Sequence, residues 1–167
     1  MQPIEQAITG AQYSRHAGNP GNTPEAALEQ FYAAFNGRNF ALMADNWAQT
    51  DEIALDNPLG GIRRGWAEIR PLYERVFSGE AIVYVEFYDY TLHVGQDLFY
   101  AVGRERGHFR YGDTELALAI RTSRVFRQFD GRWKQVHHHG SIDDPELLTL
   151  YQSAVLGNRC FFPEETE

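Results

Sequence analysis

The sequence predicts an α+β domain in which a curved antiparallel sheet wraps around helices drawn from the N-terminal half. Three observations carry that prediction. Apolar residues recur at helical spacing through the first half of the chain. From Ala81 onward the chain turns to long runs of β-branched and aromatic residues. The breaks between those runs are short Gly/Asp turns, the local signal for hairpins. Helices gathered on one side of a run of antiparallel strands define the α+β class. The sheet must curl around the helices to bury its aromatic residues.

The elements follow in order. Residues 1–22 are rich in Gln, Gly, Asn and Pro and read as a flexible N-terminal arm. A helix begins at Thr23, an N-cap residue, with Pro24 at its first position and Glu25 beside the positive end of the dipole. Ala27, Leu28, Phe31, Tyr32 and Phe35 form its apolar face, and Gly37 ends it. A second helix spans about Phe40 to Ala48, with Leu42, Met43, Ala44 and Trp47 on one side. Ile53 to Asp56 reads as a short strand followed by a Pro/Gly loop. A third helix runs from about Trp66 to Phe77 and carries Pro71 near its start, where a kink is expected. Four long strands follow, broken at VGQD, RYGDT and FDGRW. DPELLTLYQSAVLG is a final helix, capped by Asp143 or Asp144. Residues 23–157 thus make one domain, and residues 158–167 an irregular tail.

With 167 residues the chain is long enough to bury one core without staples. Its 14% aromatic content argues for a packed interior or an aromatic-lined cavity. The net charge of −8 disfavours a nucleic-acid partner. A single cysteine, Cys160, excludes a disulfide framework within the chain. No apolar run is long enough to span a bilayer, so no membrane role is expected. The first 22 residues lack the pattern of a secretory signal, which makes the cytoplasm the expected location.

The hairpins predict which side chains meet. If Asp130–Gly131 is a two-residue turn, Arg124 lies opposite His137 and Thr122 opposite His139, with His138 on the other face. If Gly112–Asp113 is the next turn, Glu105 lies opposite Ile120 and Ala101 opposite Arg124. One face then gathers Glu105, Arg124, His137 and His139 among Phe99, Phe109, Leu116, Leu118, Ile120, Phe126 and Trp133. A few convergent polar groups in an apolar wall is the pattern of a ligand pocket. A β-bulge anywhere in these strands reverses the assignment beyond it. Tyr84, Glu86, Tyr88 and Tyr90 fall on one face of the first long strand, as pocket wall or as interface.

The stretch SRVFRQFDGRWKQVHHHGS resembles the last hairpin of the nuclear-transport-factor-2-like superfamily, and most nearly its SnoaL-like branch and the association (hub) domain of calcium/calmodulin-dependent kinase II. The shared pattern is Arg124-Val125-Phe126, Asp130-Gly131, Trp133, then Val136-His137-His138-His139-Gly140-Ser141. The element order agrees from about Thr23 to Ile142. The resemblance implies a cone-shaped half-barrel with a deep pocket, and a homodimer through the outer sheet face. It places an arginine in the pocket at Arg124. A second pocket arginine of the hub domain falls at about Glu105 here, a departure that weighs against an arginine pair holding a carboxylate.

Three functions fit these residues. The first is binding of a small anionic or carbonyl ligand by Arg124, His139 and Glu105, walled by Trp133, Phe126, Tyr32, Phe35 and Trp47. The second is a cofactor-free isomerase, dehydratase or polyketide-cyclase-like enzyme with His137 as the proton carrier and Asp56 as its carboxylate. The third is a dimerisation or assembly module with a vestigial pocket. His137 and His139 form an H-x-H pair, but a metal site needs a further ligand and no flanking motif supplies one. No metal and no cofactor is expected. A buried Arg124 needs an anionic partner, which Glu105 or a ligand would provide. The homodimer would bury an outward set of His138, Val125 and Val136.

Overall fold

The computed structural model describes residues 2–13 and 21–156, so the expected tail and Cys160 lie outside the described residues. The elements are α1 (Pro24–Asn36), α2 (Phe40–Asn46), β1 (Ala54–Asp56), β2 (Ile62–Arg64), α3 (Gly65–Ser78), β3 (Ile82–Val94), β4 (Leu98–Tyr111), β5 (Thr114–Phe129), β6 (Arg132–Ser141) and α4 (Pro145–Leu156). Local chemistry sets the helix starts. Thr23 Oγ1 accepts from Ala26 N at 3.2 Å, and Asn39 Oδ1 accepts from Leu42 N at 3.0 Å. Asp144 caps α4, accepting from the Glu146 amide at 2.8 Å. Pro71 lies inside α3, which continues past it to Ser78.

The six strands form one sheet in the order β2-β1-β6-β5-β4-β3. β1 runs parallel to β6, and every other pairing is antiparallel. β2 differs from the sequence reading, which has only a Pro/Gly loop between Asp56 and the third helix. Ile62 to Arg64 instead hydrogen-bonds back onto β1 and forms the sheet's edge. α1 crosses the inner sheet face and buries Leu28, Phe31 and Tyr32. Asp45, at the end of α2, receives both Arg132 and Lys134 and so pins that helix to β6.

The β4–β5 register follows the expected Gly112–Asp113 turn, with Glu105 opposite Ile120 and Ala101 opposite Arg124. The β5–β6 register starts as expected, with Phe129 opposite Arg132 and Phe126 opposite Gln135. It then shifts: Val125 pairs with His137 and Arg124 with His138, leaving Val136 as the extra residue of a β-bulge. Everything beyond Val136 therefore changes face. His138 points inward and is buried, while His137 and His139 lie on the outer face. This corrects the placement of His137 and His139 beside Arg124, and that of His138 on the outside. A second bulge lies between Tyr88 and Thr91, where Asp89 adopts a φ of 45°. It turns Tyr90 inward, away from Tyr84, Glu86 and Tyr88.

Part of the segment expected as a flexible arm lies along the sheet. Ile4 and Ile8 pair with Tyr90 and Phe87 along the free edge of β3, and Ile8 joins the core. Unpaired strand groups on β3 provide the attachment, and Asn36 of α1 secures it by donating to Thr9 O at 2.9 Å and to Val85 O at 2.8 Å.

Candidate functional site

A cavity of about 290 Å³ lies between the inner sheet face and the helices. Its walls are apolar: Phe31 and Phe35 from α1, Leu72 and Val76 from α3, Val83 and Val85 from β3, Phe109 from β4 and Ile120 from β5. Leu59, from the loop after β1, and Tyr151, Ala154 and Val155, from α4, line it as well. At its polar end lie Glu105 of β4, Arg124 of β5 and His138 of β6. His138 lies directly opposite Arg124, and the long Arg124 side chain reaches along β4 to Glu105, which is why one end of an otherwise apolar space is charged.

Arg124 is 1% exposed, and each of its three nitrogens makes a hydrogen bond. Its Nε donates to Tyr32 Oη at 3.1 Å, Nη1 to Gln135 Oε1 at 2.9 Å and Nη2 to Glu105 Oε1 at 2.8 Å. The guanidinium carbon also sits 3.5 Å from the centroid of the Phe31 ring, a cation–π contact. Burial would pull the guanidinium's pKa down, but the oxygens of Tyr32 and Glu105 outweigh it and hold the group charged. Tyr32 donates to the same Glu105 oxygen at 2.6 Å, and burial pushes its own pKa well up. Glu105 Oε1 thus takes two hydrogen bonds, while Oε2 has no hydrogen-bond partner among the described residues and keeps accessible surface in the cavity. The question of Arg124's counter-ion is answered internally: it is Glu105.

His138 completes this end. The single hydroxyl proton of Thr122 goes to His139 O at 3.0 Å, so His138 Nε2–H is the donor in its 2.9 Å bond to Thr122 Oγ1. That assigns the neutral tautomer with a bare Nδ1, which has no partner among the described residues. Burial, then the Arg124 charge, hold this imidazole's pKa well below 6.5.

The other residues singled out in the sequence divide cleanly. Phe35 lines the cavity and Tyr32 braces its polar end. Phe126 and Trp133 pack on Phe99 with centroids 4.6 and 5.0 Å away, in the core rather than the cavity wall. Trp47 is buried against Tyr73 and does not line the cavity either. His137, His139 and Asp56 lie across the sheet. His139 Nδ1 donates to Asp56 Oδ2 at 2.9 Å, and His137 Nδ1 donates to Ala54 O at 3.1 Å. The His137–Asp56 pair foreseen for the pocket therefore does not form; Asp56 pairs with His139 instead, on the outer surface. His138 and Tyr151 are among the cavity residues that sequence reasoning missed. The hairpin count would have found His138 had the bulge been visible.

Comparison with known proteins follows this geometry. A family model described as the SnoaL-like domain matches residues 25–145. A candidate calcium/calmodulin-dependent protein kinase type II association domain from Thiobacillus denitrificans is 28% identical, with a TM-score of 0.59 over 73% of this chain and 96% of that one. A candidate dehydratase of the nuclear-transport-factor-2-like family from Streptomyces avermitilis is 19% identical, with a TM-score of 0.61 over 69% and 90%. The association domain of the C. elegans kinase is 20% identical, with a TM-score of 0.55 over 68% and 88%. The curated proteins give no match. No helix among the described residues is long and apolar enough to cross a membrane. With the matched segment running from the first turn of α1 to the first residue of α4, the chain belongs to the SnoaL-like domain family.

Proposed function

We propose that this protein binds a small, largely apolar and uncharged molecule in the cavity, with the molecule's polar end at Glu105 and Arg124. The observation that supports this reading most is the closed pairing of Arg124 with Glu105 at the end of an apolar space. A ligand carboxylate would find no unpaired cation there and would meet the free oxygen of Glu105. A carbonyl or hydroxyl meets no such repulsion. Catalysis by His137 with Asp56 is not carried forward, because both lie outside the cavity. The experiment is calorimetric titration with a panel of neutral aromatic alcohols, ketones and carboxylic acids, repeated on the cavity-filling variant Val83→Phe. Binding of neutral compounds that the filled variant loses supports the reading. Tighter binding of the acids, or binding that Val83→Phe leaves intact, overturns it.

We also propose self-association through the outer sheet face. Its support is an exposed strip in which Tyr100 and Val102 of β4 lie beside the half-buried Val125 of β5, flanked by His93 and His137 on the neighbouring strands. The outward set is thus Val125 without His138. The Thiobacillus relative, at 28% identity, carries the name of an association domain.

A further inference from the structure

The family match ends at Pro145, where α4 begins, yet α4 supplies a wall of the cavity. Two contacts hold it there. The Tyr151 ring packs 5.3 Å from that of Phe109, and Gln152 Nε2 donates to Leu59 O at 2.9 Å. Tyr151 is 7% exposed, and its hydroxyl has no hydrogen-bond partner among the described residues, although it keeps accessible surface in the cavity. The Glu105 carboxylate across the cavity is in the same condition at Oε2. Glu105 on the sheet and Tyr151 on the C-terminal helix thus bring unpaired polar atoms of complementary kind to a largely apolar cavity.

We propose that Tyr151 and Glu105 together select a hydroxyl-bearing ligand: the ligand's O–H donates to Glu105 Oε2 while its oxygen accepts from the Tyr151 hydroxyl. This rests on the reading of the cavity as a ligand site and specifies the ligand's polar group. Tyr151 is suited to the donor role. Burial and then Glu105 both raise its pKa, so the phenol keeps its proton. Glu105 is suited to the acceptor role, because Tyr32 and Arg124 fix its orientation through the other oxygen. The carboxylate recognises the hydroxyl proton, and the phenol recognises the oxygen that carries it. A hydrocarbon lacks both groups, and a carboxylate ligand places its charge against Glu105.

Three probes of similar shape separate the possibilities: naphthol, naphthalene and naphthoate, titrated calorimetrically into the full chain and into Tyr151→Phe. The substitution keeps the ring on Phe109 and removes only the oxygen. Thermal melting checks that the variant is folded. Naphthol is expected to bind about tenfold more tightly than naphthalene. Tyr151→Phe should lose most of that advantage while leaving naphthalene unchanged, and naphthoate should bind most weakly of the three. Equal affinity for naphthol and naphthalene, or a Tyr151→Phe variant that binds naphthol like the parent, overturns the role of Tyr151 while the cavity reading stands. Failure of all three probes overturns the cavity reading and this inference with it.

Discussion

At the scale of single residues, buried charge is the dominant fact. Arg124 and Glu105 are 1% and 4% exposed, so neither can be left alone without a large desolvation penalty. Arg124→Ala should destabilise the protein by roughly 3–5 kcal/mol, because it strands the Glu105 carboxylate and the Gln135 carbonyl together. Glu105→Gln combined with Arg124→Met should be less damaging than Arg124→Ala alone, and urea melts of the two variants test that order. His138 makes a second, independent prediction. Its folded pKa lies well below 6.5, so the unfolded chain takes up a proton there first as pH falls. Proton uptake then favours unfolding, and stability present above about pH 6.5 declines below it by at most ~1.4 kcal/mol per pH unit for this one group. Melts between about pH 7 and pH 5 should show that decline, and His138→Gln should flatten it. An unchanged slope in the variant would assign the acid sensitivity to other groups.

At the scale of elements, what the sequence revealed depended on whether a turn or a cap announced it. Thr23 and Pro24 marked the start of α1, and Gly112–Asp113 fixed the β4–β5 register over its whole length. Asp130–Gly131 fixed the β5–β6 register only as far as Gln135, because nothing about Val136 marks it as a bulge. A bulge is an outcome of how strands fit the curvature of the sheet, and one extra residue exchanges the faces of a histidine triplet. The N-terminal pairing was hidden for a related reason. Ile4 and Ile8 are too sparse to read as a strand, and they form isolated bridges only because the edge of β3 is there to receive them. Gly10 makes the attachment possible. Its φ is 84°, and an added Cβ would lie 2.1 Å from Ala33 N, so the backbone rests directly on α1. Gly10→Ala should therefore lift the segment from α1 and expose the β3 edge. Hydrogen exchange at the Phe87 and Tyr90 amides, which donate to Ile8 and Ile4, should speed up while the β4–β5 ladder keeps its protection. Unchanged protection at those two amides would show that the segment is held without Gly10.

At the scale of the whole molecule, the sheet separates two surfaces of different character. The inner face carries the cavity and its charged end, and the outer face carries Tyr100, Val102 and Val125 among histidines and arginines. The fold class was legible because it follows from element order and alternation, which survive small errors of register. The site was legible only in part, since Glu105 and Arg124 are placed by the unbroken β4–β5 register, whereas the histidines follow the extra residue in β6. The same separation makes the proposed homodimer testable without disturbing the cavity. Aromatic and aliphatic side chains on an exposed sheet face gain by burial against a second copy, and a two-fold axis would bring the strip onto itself. Val102→Glu places a charge at the centre of that strip, on a residue 46% exposed, so the monomer's own core is untouched. Light scattering of the parent protein at micromolar concentration should give about twice the mass of the chain, 19.1 kDa, and the variant should give the monomer mass. The parent's melting temperature should rise with protein concentration and the variant's should not, because only an associating fold gains stability by mass action. A parent protein that remains a monomer at these concentrations would reject the dimer and leave the outer strip as ordinary solvated surface.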